Sequence, residues 1–205
     1  MVSTPQRLNA EAATQAVPVP TRAAPLSIRI SAYLIDSVVL LGFILAFLAL
    51  AGLVLWLSSN LGAEDPPDSA YYAFIGIFVG GTVMAWSVFN LALAFWRSQS
   101  AGQYMTGLRV ASEDGQTLSP ARMLIRWFAL HPLLFHPLLI PVWALFAAVA
   151  VSLTLNQFVL ALTLGLVALC VVAPVAALGA ALLDRDRRTL YDRVASTVVV
   201  SVDLR

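Results

Sequence analysis

The 205-residue sequence contains no lysine, a single cysteine, two histidines and little charge of any kind, since Asp, Glu and Arg together make up 11% of it. Each shortage excludes something. Without lysine there is no Schiff-base nucleophile and no Gly-rich phosphate loop of the lysine-bearing type. The lone Cys170 cannot form an intrachain disulfide, and inside an uncharged run it reads as a small buried hydrophobe. His131 and His136, each followed by proline in HPLLFHPLLIP, would stand about 140° apart on a helix, and no other histidine or usable cysteine completes a metal or haem set. No metal and no cofactor is expected. The sequence also lacks His-Glu-x-x-His, Gly-x-Ser-x-Gly and Cys-x-x-Cys, so an enzyme is not expected. No basic patch is extended enough for nucleic acid.

What the chain has in abundance is apolar surface. At 60% hydrophobic residues and a mean hydropathy of +0.86, it exceeds what one soluble core can bury, and several uncharged runs are longer than the roughly 20 residues that cross a bilayer. The expected fold class is an all-α polytopic membrane protein: a four-span helical bundle with both termini cytoplasmic, a small cytoplasmic β element and the lipid bilayer as its first partner. Residues 1–26, with VPVPTRAAP and no apolar run, read as a disordered cytoplasmic tail before a membrane domain at 27–202. Spans are expected at about 30–57, 71–96, 127–152 and 158–183, with an inner loop at 97–122 and a C-terminal cytoplasmic helix and strand at 184–202. The uncharged stretch 127–183 is about twice one span, broken near 153–157 where a tight hairpin fits. Prolines 132, 137 and 141 make the start of the third span irregular, with part of it lying along the interface.

Orientation follows from arginine. All twelve basic residues are Arg, and with both termini inside, every one falls on the inner side while Glu64, Asp65 and Asp68 fall outside. Trp56 and Tyr71-Tyr72 bracket the outer loop, and Trp96 and Trp127 flank the inner one, as interfacial aromatics do.

Two inner segments look folded. The loop GQYMTGLRVASEDGQTLSP has a β-prone stretch at 107–111, an Asp114-Gly115 turn signal and a return at 116–118, a small hairpin. The β-branched TVVVSV near the C-terminus needs a backbone partner, and this loop is its candidate. A sheet joining 108–110 to 197–200 is therefore expected.

The charge that stands out is Asp36, in SIRISAYLIDSVVLL. After it, residues 37–57 carry no charge, about 31 Å of helix, so the carboxylate sits at or just inside the inner boundary, where ionisable groups are costly and functionally suspect. Arg29 lies two turns earlier on the same stripe, about 10 Å away along the axis. Asp36 is either a protonatable cation site or the anionic half of a fixed ion pair, with Arg126, Arg97 or Arg29 as partner. Asp192, with Arg188 four residues before it, could brace the terminal helix or reach up to Arg29 and close the mouth of the bundle. In span two, Gly76-x-x-x-Gly80 with Gly81 offers a small-residue face for packing, and Asn90 could help hold a cation if it faces Asp36.

In this order the pieces resemble the RDD family of bacterial integral membrane proteins. The residues carrying the resemblance are Arg29-x-x-Ala32-x-x-Ile35-Asp36, Gly102-Gln103, Gly107-Leu108-Arg109-Val110, Asp114-Gly115, Arg126, and Arg188-Thr189-Leu190-Tyr191-Asp192-Arg193-x-Ala195-x-Thr197. The arginine and two aspartates that name the family fall on Arg29, Asp36 and Asp192. The sequence departs from the pattern at Gln103, where many relatives have lysine, and at Tyr191, where many have histidine. The resemblance implies a multi-pass protein of the bacterial inner membrane, and transport of an unknown small ligand or cation/proton exchange, with Arg29, Asp36, Arg126 and Asp192 as one inner-leaflet charge cluster. Gly102, Arg109, Gly115, Arg188 and Asn90 are secondary candidates. Four spans with so few polar residues make a poor pathway alone, so a homo-oligomer is expected. The alternative is a non-transporting scaffold, anchor or regulatory module acting through its cytoplasmic segments.

Overall fold

The computed structural model describes residues 23–114, 118–154 and 157–201. The expected tail up to residue 22, Gly115 of the expected turn with the start of its return at 116–117, and the turn at 155–156 lie outside the described residues. Three helices are long and apolar enough to cross a membrane: α1 (Leu26–Ser58), the continuous Asp68–Arg97, and α7 (Gln157–Leu183).

On α1 the buried residues Ala32, Asp36, Leu40, Ile44 and Ala51 form one seam, while Leu34, Val38, Leu41 and Leu45 on its other sides are exposed. That is an inside-to-lipid pattern, with the apolar majority facing outward because the surrounding solvent is hydrocarbon. The helix begins at Leu26, earlier than the expected 30, and the segment before it is already part of the fold: Ala24 is buried and its N–H donates to the Val199 carbonyl at 2.8 Å.

The second long helix comprises α2 (Asp68–Ile75), a π-helical turn (Gly76–Gly81) and α3 (Thr82–Arg97). The expected glycine face is realised at one position only. A Cβ at Gly81 would come within 2.5 Å of the Phe47 ring of α1, whereas Gly76 and Gly80 meet nothing. The close approach is therefore set by the π turn, which rotates Gly81 toward α1 and Gly76 away from it. Trp86 and Phe43 pack edge to face across the same seam.

The expected third span does not start at Trp127. That residue closes α5 (Pro120–Phe128), an amphipathic helix started by the Ser119 hydroxyl, which accepts from the Arg122 N–H at 3.2 Å, and by proline at the first helical position. The prolines then keep the chain irregular, with Leu130 at φ 55°, until a 3-10 turn (Pro137–Leu139) leads into α6 (Ile140–Thr154). At 15 residues, α6 is about 22 Å long, shorter than the hydrocarbon core, and it pairs with α7. Ser119→Ala is expected to destabilise the fold by about 1 kcal/mol through loss of this cap, read as a lowered unfolding midpoint in detergent.

The short elements gather at the end where α1 begins. These are α4 (Ala101–Met105), β1 (Leu108–Ser112), α8 (Leu190–Val194) and β2 (Thr197–Ser201). The two strands pair antiparallel, Leu108 with Ser201 through Ser112 with Thr197, so the expected sheet forms and runs two residues further along β1. Leu108, Val110 and Val199 bury against Ala32 and Met123, which fastens the sheet under the helices.

Candidate functional site

The four residues expected to form one cluster divide into two assemblies at this end of the bundle. The first is centred on Asp192, which is fully buried. Its carboxylate caps its own helix: Oδ2 accepts from the Thr189 hydroxyl at 2.7 Å and the Thr189 N–H at 3.3 Å, while the Asp192 N–H donates back to Thr189. Such a box satisfies free N–H groups at a helix start. The same carboxylate accepts from two guanidiniums, Arg29 Nη1 of α1 at 3.4 Å and Arg126 Nη1 of α5. Arg29 also donates to the Arg187 carbonyl at 3.1 Å and the Val199 carbonyl at 3.0 Å. Arg126 donates to the Thr197 hydroxyl at 3.2 Å, and its guanidinium lies 4.7 Å from the centre of the Tyr191 ring.

Two cations around one anion leave a surplus positive charge in a buried place, and the carbonyls and the ring face of Tyr191 are what offset it. Burial, and then the Asp192 carboxylate, push the Tyr191 phenol up, so the ring stays neutral beside the arginine. Tyr191 also packs on His131, 4.5 Å between ring centres. The aromatic at this departure from the family pattern thus does its work by stacking. The assembly joins α1, α5, α8 and β2 into one clasp, with no vacant valence on the aspartate.

Asp36 is not part of it. It is buried, at 2% exposure, and its carboxylate faces the start of α4, where Oδ2 accepts from the Ser100 hydroxyl at 2.6 Å and Oδ1 from the Gly102 N–H at 2.7 Å. Among the described residues no guanidinium forms an ion pair with it. Arg126 and Arg29 are held by Asp192, and Arg97 lies over the Tyr104 ring at 4.9 Å. Of the two readings of Asp36, the fixed ion pair with an arginine is therefore not what the structure shows. Neutral donors of a capped helix start take that place, which suits an anion because the N–H groups there are unpaired and carry partial positive charge. Ser100 is the N-cap, and Gln103 completes its box by accepting from the Ser100 N–H at 2.9 Å. Gln103, the other departure from the family pattern, therefore serves as a cap.

Gly102 is required by contact. A Cβ there would collide with the Ala32 carbonyl of α1 and come 3.0 Å from the Asp36 carboxyl carbon. Between Asp36 and Arg29 lies a cavity of about 50 Å³, also bordered by Tyr33, Gln103 and His131. Asn90 does not touch Asp36. Its amide donates to the Trp86 carbonyl at 3.0 Å, and it borders a second cavity of about 20 Å³ on the far side of Ser100 and Gln103.

The remaining candidates are structural or exposed. Arg109 is exposed on β1. Arg188 pairs with Glu113 at 2.7 Å and Asp186 at 2.9 Å, pinning the C-terminal segment to the end of β1. Beside it, the Arg193 guanidinium holds the Asp184 carboxyl well below the usual carboxylate range. Among the described residues no group of three or more potential metal ligands occurs.

Sequence reasoning missed Ser100, Thr189 and Thr197 as partners of the aspartates. Ser100-x-x-Gln103 and Thr189-x-x-Asp192 carry a legible capping-box spacing and could have been found. Thr197 carries no such signal.

No curated protein and no solved structure matches the chain. Residues 23–196 match the RDD family, a stretch that takes in the Asp192 clasp except for Thr197 and Val199, and Asp36 with its donors Ser100 and Gly102. This chain belongs to the RDD family.

Proposed function

We propose that the protein is a small transporter of the bacterial inner membrane that exchanges a monovalent cation for protons at Asp36, with four spans and both termini in the cytoplasm. The observation that carries the reading is the charge balance of the two assemblies. Asp192 is saturated by two arginines and fixed, whereas Asp36 is buried with neutral donors only and borders a small cavity. A buried carboxylate without a counter-ion is the group that gains most from taking up a proton or a cation. Asn90 and Thr82, both buried on the inner face of α3, continue a sparse polar track away from it, and the Thr82 hydroxyl has no partner among the described residues. The arginine-rich end with the sheet is cytoplasmic in this reading, because Glu64, Asp65 and Asp68 lie at the opposite end. A bundle this narrow supplies part of a pathway, so transport would be carried by a homo-oligomer.

In proteoliposomes carrying a pH gradient, addition of a monovalent cation is expected to collapse the gradient, and Asp36→Asn to abolish the response. The asparagine oxygen can still accept from the Gly102 N–H while its amide NH2 donates to the Ser100 hydroxyl, so the variant should fold and its unfolding midpoint should stay close to the parent's. No flux for any of several cations with the parent protein would sink the exchanger. It would promote a non-transporting module, a reading that draws its support from the sheet and the Asp192 clasp, which form a rigid cytoplasmic platform whatever Asp36 does.

A further inference from the structure

The cavity between Asp36 and Arg29 has an unusual wall. Arg29 and Tyr33 line it, and each carries a buried polar atom with no hydrogen-bond partner among the described residues, the Arg29 Nε and the Tyr33 hydroxyl. A third, Asn90 Oδ1, borders the adjoining cavity, and Ser100, Gln103 and His131 line both. Orphaned donors and acceptors of this kind cost free energy unless something in the space completes them.

The wall chemistry selects the occupant. With Arg29 and Asp36 both ionised the wall carries one charge of each sign, and a donor at Arg29, a hydroxyl at Tyr33 and an acceptor at Asp36 then suit a small neutral molecule that both donates and accepts. Apolar cavities stay dry, but a polar one takes a water once it offers about 10–15 Å³, and at about 30 Å³ per water in the liquid the larger cavity is a place for one or two.

We propose that this cavity is a binding site for one or two water molecules held between the Asp36 carboxylate, the Arg29 guanidinium and the Tyr33 hydroxyl. The waters give Asp36 a proton-exchanging contact inside the bundle. The titratable and charged groups facing that contact are Arg29 and Tyr33 from α1, His131 from the irregular segment before α6, and Tyr191 from α8. This consequence rests on the exchanger reading, but the water site itself does not.

The test is X-ray radiolytic labelling of the full-length protein in nanodiscs, where hydroxyl radicals form from the water touching each side chain. After correction for intrinsic reactivity, Tyr33 and His131 are expected to label at least about tenfold faster than Trp86, which is buried in the apolar core, and within about tenfold of exposed Tyr104. Either residue proving as inert as Trp86 overturns the proposal. Labelling reads water and not flux, so a dry cavity overturns this site even if transport is found, and a wet one without flux overturns only the exchanger.

Discussion

Asp192→Ala is expected to be the most destabilising single substitution in the polar end of the protein, by about 3–5 kcal/mol, seen as a large fall in the unfolding midpoint in detergent and in the yield of folded protein. The argument is one of charge left behind. Asp192 is fully buried, and removing it strands two guanidiniums that approach from different helices, with Arg29 at 10% side-chain exposure and Arg126 at 3%. It also removes half of the capping box that starts α8. Asp192→Asn should recover the cap but not the charge and so fall between the alanine variant and the parent. The pairwise nature of the effect is open to a double-mutant cycle. Arg126→Met combined with Asp192→Asn should cost clearly less than the sum of the two alone, because the second change no longer strands the first residue's charge. Simple additivity would show that the clasp is not the origin of the loss.

Gly102→Ala is the second large effect, about 3 kcal/mol with loss of the Asp36 site. The added methyl meets the Ala32 carbonyl oxygen, a backbone atom of a long helix that cannot yield locally. Helix α4 must lift away from α1, taking its N–H off the Asp36 carboxylate and leaving a buried anion short of a donor. Two comparisons isolate the cause. Ala32→Gly should not rescue Gly102→Ala, since it removes a side chain and leaves the carbonyl in place. Gly81→Ala should be milder, because its obstacle is the Phe47 ring, which can turn. Rescue by Ala32→Gly would contradict the contact.

These two positions show how far the residues could be read in order. Asp192 was visible as the aspartate in the C-terminal charge run, and its reach toward Arg29 was among the expected outcomes. Arg126 was one of three arginines offered as a partner for Asp36, and nothing in the chain order assigns it to Asp192 instead, because both aspartates lie more than sixty residues away from it. Gly102 was visible only through the family pattern, since the requirement for glycine arises from an α1 carbonyl seventy positions earlier. The start of the third span was misplaced because hydropathy cannot separate an apolar residue on an amphipathic helix from one in a span, whereas the prolines at 132, 137 and 141 did correctly announce an irregular entry.

By itself the sequence determined the membrane class, the long apolar helices and the pairing of the two short strands. Those features depend on local quantities: hydrophobic run length, β-branched content, and the cost of placing a charge beside hydrocarbon. Only the tertiary structure decided that Arg29 and Arg126 converge on Asp192, while Asp36 is met by Ser100 and the Gly102 N–H beside a small polar cavity. The physical reason is that an arginine can satisfy any carboxylate within reach. Which one it reaches is set by how α1, α4, α5 and α8 pack, and that packing is fixed by backbone contacts that leave no mark on the composition of the chain.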